Sequence, residues 1–283
     1  MDINVISTFD NAQTYLSAAK FDNADILGLW HSHMIEPFWS EIAKYAPFDQ
    51  DFKQPKAVTE LGALEKQLDI LCKLNIDNMQ SKFAEIAAVL PLVDDDPMIV
   101  ALYPLCNGNQ GVKNRQNGVV GASVFGNVVI NVNPLAEDWK NWIPFVFAHE
   151  YHHNIWGHNW YVMRDGQDVE ETYLENMIIE GQADLFAESL FPNLIPSWNR
   201  PFDPEAEREL WEQIKLVLDS KDPCTHRAYM FGDEMAGLPW CVGYSFGRAI
   251  VADFMQKHPS ISFVELLDIP CRRIFEESKY GKI

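Results

Sequence analysis

The chain has 283 residues, of which 47% are hydrophobic, enough apolar material for a sizeable core in one or two domains and too much for disorder. Its 41 acidic side chains against 22 basic ones give a net charge of −19. A surface of that sign repels phosphate backbones and anionic lipid, which excludes nucleic acid and membrane surfaces as expected partners and leaves solubility or a taste for basic partners.

The opening residues, Met1 to Ser7, lack the basic start and apolar stretch of a secretory leader. The first ninety residues read as several helices. One is expected over Asp10–Lys20 and another over Ile26–Tyr45, broken near Pro37. Thr59 to Lys73 has a capping residue at its start and leucines at helical spacing (Leu61, Leu64, Leu68, Leu71), and Ile76 to Leu90 follows up to Pro91. Asp94 to Pro97 reads as a loop. The pattern then turns β-rich: Met98–Tyr103, an Asn- and Gly-dense loop over Asn107–Gly118, and two further pieces within Val119–Val132 around a turn at Gly126-Asn127. From Asn141 onward helices return. Asn141 is a candidate cap for a helix ending at Gly157, with Pro144 in its first turn. Asp168 and Glu171 form a candidate capping box for a helix running to about Leu190. Asp203-Pro204 starts another, and Tyr244–Gln256, Phe263–Leu267 and Cys271–Lys279 are shorter candidates. The expected fold class is therefore α+β and predominantly helical, with an N-terminal helical region over 1–90 packed on a catalytic domain over 91–283.

The five cysteines (Cys72, Cys106, Cys224, Cys241, Cys271) are odd in number and widely spaced, without a C-x-x-C pair, so neither a disulfide framework nor a cysteine zinc knuckle is expected. The longest apolar runs, such as Met98 to Cys106, are too short to span a membrane. A reducing cytoplasm is the expected location.

Chemistry concentrates at His149-Glu150-Tyr151-His152-His153, an H-E-x-x-H pattern. Residues i and i+4 share one helix face, so both imidazoles can reach one ion, while Glu150 stands to the side and is left for proton transfer. Catalytic zinc takes three protein ligands and keeps one position open. Glu180, on the next predicted helix, is the expected third ligand of a single Zn²⁺. Asp184, one turn further, is the expected hydrogen-bond partner of a ligating histidine, His149 first. Glu171 and Glu175 are alternatives on the same predicted helix that lack such an Asp. A third histidine ligand is not expected, because His158 follows His153 by five residues where that pattern needs six. His31 and His33 beside Trp30 are read as helix contacts and His152 as facing away from the metal.

With H-E-x-x-H at His149–His153 and E-x-x-x-D at Glu180–Asp184, the chain resembles the gluzincin, or thermolysin-like, metallopeptidases. More closely, it resembles a bacterial family of predicted zinc-dependent proteases, formerly a domain of unknown function. That likeness rests on the two motifs, on Tyr229-Met-Phe-Gly232, and on Leu238-Pro-Trp-Cys-Val-Gly-Tyr244-Ser-Phe-Gly247, and covers roughly residues 90–283. It implies a zincin-like fold, with a small twisted sheet above the active-site helix and an edge strand that takes up extended peptide; Phe125–Asn133 is the candidate segment. It also implies a peptidase in which Glu150 moves the proton and Tyr244, in the Gly-Tyr element, donates to the oxyanion. His226, a lone histidine read as lying on a loop, is the alternative donor. The G-x-M-E-N element of gluzincin aminopeptidases is missing before His149, since Gly121-Ala-Ser-Val does not match it. This leaves an endo- or oligopeptidase acting on peptide or protein. A non-catalytic zinc-binding regulatory protein and a zinc hydrolase of non-peptide amides would use the same residues.

Overall fold

A computed structural model describes residues 2–92, 96–105, 116–199 and 201–282. The chain divides into two compact units, Met1–Ile155 and Trp156–Ile283.

The first unit opens with β1 (Ile3–Ser7), α1 (Phe9–Ala19) and α2 (Ile26–Trp30), which runs on through a π-helical turn at His31–Ile35. α3 (Trp39–Ile42) resumes after Pro37, whose ring and missing N–H end the ladder as expected. α4 (Leu61–Leu71), α5 (Ile76–Val89), β2 (Met98–Pro104), β3 (Val119–Val124), β4 (Asn127–Val132) and α6 (Trp139–Gly157) complete it. The helix expected from Thr59 is uncapped by that side chain and starts two residues later, whereas Asn75 caps α5 by accepting the Asn78 N–H. Asp94, Asp95 and most of the Asn107–Gly118 loop lie outside the described residues.

The sheet is mixed, in the order β1-β2-β4-β3, with β1, β2 and β4 parallel and β3 antiparallel to β4. β1 corrects the reading of the first ninety residues as purely helical. Its buried side chains are only Ile3 and Val5, and what makes it a strand is pairing in register Ile3↔Met98 with a partner far along the chain. β4 is paired on both sides, so the segment Phe125–Asn133 has no open edge for a peptide. Among the described residues the open edge beside it is that of β3, which corrects the expectation.

The β3–β4 turn is Phe125-Gly126, one residue earlier than expected. Both sit at positive φ (39° and 90°), as a two-residue hairpin turn of the right twist requires. Asn127 is instead the buried first residue of β4. Its Oδ1 accepts the Ile99 N–H at 2.8 Å, and its Nδ2 donates to the Ile42 carbonyl at 2.9 Å. The turn is tied to α6, because Gly126 N–H donates to Asn154 Oδ1 at 2.8 Å and Asn154 Nδ2 donates to the Asn127 carbonyl at 3.0 Å.

α6 is apolar around most of its circumference and is buried accordingly at Trp142, Ile143, Phe145, Phe147, Ala148 and Tyr151. Phe147 stacks on Phe83 of α5 at 4.1 Å between centroids, and Tyr151 Oη donates to the Leu90 carbonyl at 2.8 Å. These contacts fix the rotation of the helix and so the direction of its polar residues. Asn141 does not cap it: the helix begins at Trp139, and Asn141 Nδ2 donates to Asp138 Oδ1 at 2.6 Å.

The second unit holds α7 (Tyr173–Leu190), α8 (Pro204–Ile214), α9 (Pro223–Phe231), α10 (Val242–Lys257), α11 (Phe263–Leu266) and α12 (Cys271–Glu277). The capping box expected at Asp168 and Glu171 is overturned. Both residues are at positive φ, 63° at Asp168 and 55° at Glu171, and lie outside the helix. Thr172 caps α7 by accepting the Glu175 N–H, and the Glu175 carboxylate accepts the Glu170 and Glu171 N–H groups. α7 and α10 cross backbone to backbone at Gly181 and Gly247, where a Cβ on Gly247 would run into the Met177 carbonyl oxygen. Among the described residues, no helix is long and apolar enough to cross a membrane.

Candidate metal centre

His149 and His153 lie one turn apart on α6, with their Nε2 atoms 3.0 Å from each other and their rings nearly perpendicular at 83°. With a carboxylate oxygen of Glu180 on α7 they form a group able to hold a metal ion, all three ligand atoms lying within 4.8 Å of one another. The donor set suits zinc. Two imidazole nitrogens and a carboxylate oxygen are its ordinary ligands, and two nitrogens bound tetrahedrally at 2.0–2.1 Å would sit about 3.3 Å apart, close to the observed spacing. His31, His33, His158, Glu171 and Glu175 belong to no such group among the described residues. Glu171 is not even on the helix with Glu180, and Glu175 is committed to its cap, its buried carboxyl held above the usual carboxylate range by desolvation. His152 is fully buried.

Glu150 stands beneath β3. A Cβ on Gly121 would collide with Glu150 Cγ and lie 2.8 Å from Glu150 Oε1 and 2.7 Å from Val146 Cγ1. Gly121 is not in the left-handed region, so the fold uses its missing side chain rather than its backbone freedom. Gly121→Ala is therefore expected to push Glu150 out of its slot while leaving the metal content of the protein unchanged; a structure of the variant alongside metal analysis would check this.

Lys53, from the single turn Asp51–Lys53, reaches the same strand and donates from Nζ to the Ser123 carbonyl at 2.7 Å. Burial pulls the pKa of its ammonium below the ordinary lysine value, and the charge of Glu150 partly restores it. Neither Gly121 nor Lys53 was picked out as functional by the sequence, and no local signal marks Lys53, whose partner is 70 residues away.

Asp184 is fully buried on α7 and accepts Trp198 Nε1–H at 3.2 Å and Asn199 Nδ2–H at 2.9 Å. Asn199 also donates to Glu188 at 3.3 Å, and Glu188 pairs with Arg248 of α10 at 2.7 Å, holding that guanidinium above its usual range. The position of Glu180 is thus fixed one turn away by a network joining α7 to α10. Tyr244 is half-buried in the first turn of α10, its ring 5.9 Å from Phe231. His226 is corrected in two respects. It lies on α9, not a loop, and both its nitrogens are engaged: Nε2–H donates to the Ser220 carbonyl at 2.6 Å and Nδ1 accepts from Asn176 Nδ2 at 2.7 Å. These two contacts tie α9 to its neighbours.

The family described as "Predicted Zn-dependent protease (DUF2268)" matches residues 73–276. The chain is also similar to the Bacillus subtilis (strain 168) protein named "Uncharacterized protein YjfC", at 33% identity over 164 residues, 54% of this chain and 53% of that protein. The match thus spans about half the length of that relative. No solved structure matches the chain.

Proposed function

The chain belongs to the family of predicted Zn-dependent proteases, and from that premise we propose that it is a zinc peptidase of the gluzincin type, with His149, His153 and Glu180 as ligands and Glu150 as the proton-transfer residue. The observation that carries this reading is the convergence of the three ligand atoms to within 4.8 Å, from two motifs separated in sequence.

Zinc, when bound, supplies a Lewis acid that acidifies water and polarises a carbonyl. The chain's own residues supply the rest. Glu150, excluded from the ligand group and held in the Gly121 slot, accepts the proton of the attacking water and returns it to the departing amine. Tyr244 donates its hydroxyl hydrogen to the developing oxyanion. Asp184 keeps α7 in position and serves the ring N–H of His149. The peptide lies extended along β3, the open edge above Glu150, pairing through main-chain groups.

Hydrolysis of unfolded casein and of a peptide library tests the reading. Activity should disappear on treatment with a chelator and return with one equivalent of zinc. A zinc-replete protein that cleaves neither substrate would overturn it in favour of a non-catalytic zinc protein or a hydrolase of other amides.

A further inference from the structure

Alternation along β3 divides its main-chain groups into two sets. Val120, Ala122 and Val124 pair inward, in line with the Asn133 N–H donating to the Gly118 carbonyl at 2.7 Å at the same parity. Val119, Gly121 and Ser123 therefore turn their N–H and C=O groups outward, and the Lys53 bond to the Ser123 carbonyl falls on that outer edge. Lys53 closes the edge at one end. At the other, the Val119 N–H is taken by the Gln116 carbonyl at 3.1 Å. What stays open for a peptide backbone is a short run centred on Gly121, directly above Glu150.

The ammonium at the end of that run is unusual in its surroundings. It is half-buried, its Nζ lies 5.7 Å from the centre of the Phe52 ring and 5.8 Å from that of Phe125, and Phe125 packs edge-on against the exposed Phe48 at 5.3 Å. Its bonded partner is a neutral carbonyl. Among the described residues no carboxylate comes within ion-pair distance of Nζ, although 41 acidic residues are available in the chain. A partly desolvated cation with N–H groups to spare, on which Glu150 acts only from beyond ion-pair distance, is incompletely compensated, and a ligand carboxylate would compensate it.

Resting on the peptidase reading above, we propose that Lys53 is a specificity-determining residue that binds a carboxylate of the substrate at the end of the β3 edge. An extended chain advances about 3.3–3.4 Å per residue, and Ser123 is two residues from Gly121. The carboxylate so bound stands about two residues from the peptide group above Glu150. The free C-terminus of a substrate and an internal Asp or Glu side chain offer the same chemistry at that position. The long-range repulsion of a −19 chain works against acidic ligands generally, but it is screened beyond about 8 Å at physiological salt, so the selection is local to Lys53.

The test is binding, read by fluorescence anisotropy of dye-labelled short peptides on chelator-treated protein. Each peptide is made with a free C-terminal carboxylate or a carboxamide, and with Glu or Gln two residues inward. On the wild-type chain a carboxylate form should bind about tenfold tighter than its neutral match, as one charge-assisted hydrogen bond allows. Whichever pair shows the difference identifies the source. Lys53→Met and Lys53→Gln should abolish the ratio, and Lys53→Arg should keep it. Equal ratios in wild type and both neutral variants, or no preference in the wild type, would overturn the proposal. So would a Lys53→Met variant that changes hydrolysis of acid and amide peptides alike with an unchanged binding ratio, since that is the behaviour of a mere counter-charge for Glu150. Hydrolysis by the zinc-loaded wild type, run in parallel, keeps the two readings apart: an intact carboxylate preference without cleavage removes the peptidase and leaves the Lys53 site.

Discussion

Glu150→Gln is expected to leave zinc bound and to lower kcat/KM for peptide hydrolysis by roughly 10²–10⁴, a loss of about 3–5.5 kcal/mol of transition-state stabilisation. The substitution keeps the shape that the Gly121 slot accommodates, so no steric displacement accompanies it. It also leaves the His149, His153 and Glu180 group untouched. What disappears is the carboxylate that takes a proton from water and later gives it up. Because the amide can do neither, kcat should fall with little change in KM. Zinc content by metal analysis and single-turnover cleavage of a fluorogenic peptide give the two readouts. Full activity in the variant would remove Glu150 from the chemistry, and lost zinc would place it among the ligands.

The parts of this site that were legible in the sequence are those whose geometry is local. The spacing of His149 and His153 decides their shared face as soon as α6 forms, and the apolar residues around them announce that helix. Glu180 was legible through Asp184 one turn on. The hidden parts depend on pairing between distant segments. Ile3–Ser7 is only five residues long, and it is a strand through pairing with Met98–Leu102, far along the chain. The open edge was assigned to Phe125–Asn133, but the apolar character of β4 marks it as interior, while among the described residues the half-exposed Val119–Val124 is the edge. Lys53 and Gly121 acquire meaning only when β3 is laid over α6 and the Asp51–Lys53 turn is brought to Ser123. Two misreadings had local remedies. Asp222-Pro223 starts α9 by the same cap-and-proline signal that was recognised at Asp203-Pro204, and it would have put His226 on a helix. Thr172 with Glu175 satisfies the capping spacing as well as Asp168 with Glu171 does.

Glu180→Ala is expected to weaken zinc binding by at least about a hundredfold, because partners that merely orient ligands already cost 10–100-fold when removed and Glu180 is the proposed third ligand itself. Thermal stability reads this without any appeal to activity. At a zinc concentration 100 times its dissociation constant, the wild type gains about 2.7 kcal/mol from binding. A variant bound a hundredfold more weakly gains only about 0.4 kcal/mol at the same concentration, so most of the zinc-dependent rise in Tm should vanish. Glu175→Ala is the matched control, since it also removes a carboxylate from α7. It deletes the acceptor of the Glu170 and Glu171 N–H groups and should cost about 1–2 kcal/mol of stability with or without metal, while the increment due to zinc stays at its wild-type size. Loss of the increment in both variants would mean that α7 holds the site only through its fold. Retention in both would detach Glu180 from the metal, and with it the argument that one position is left open for water.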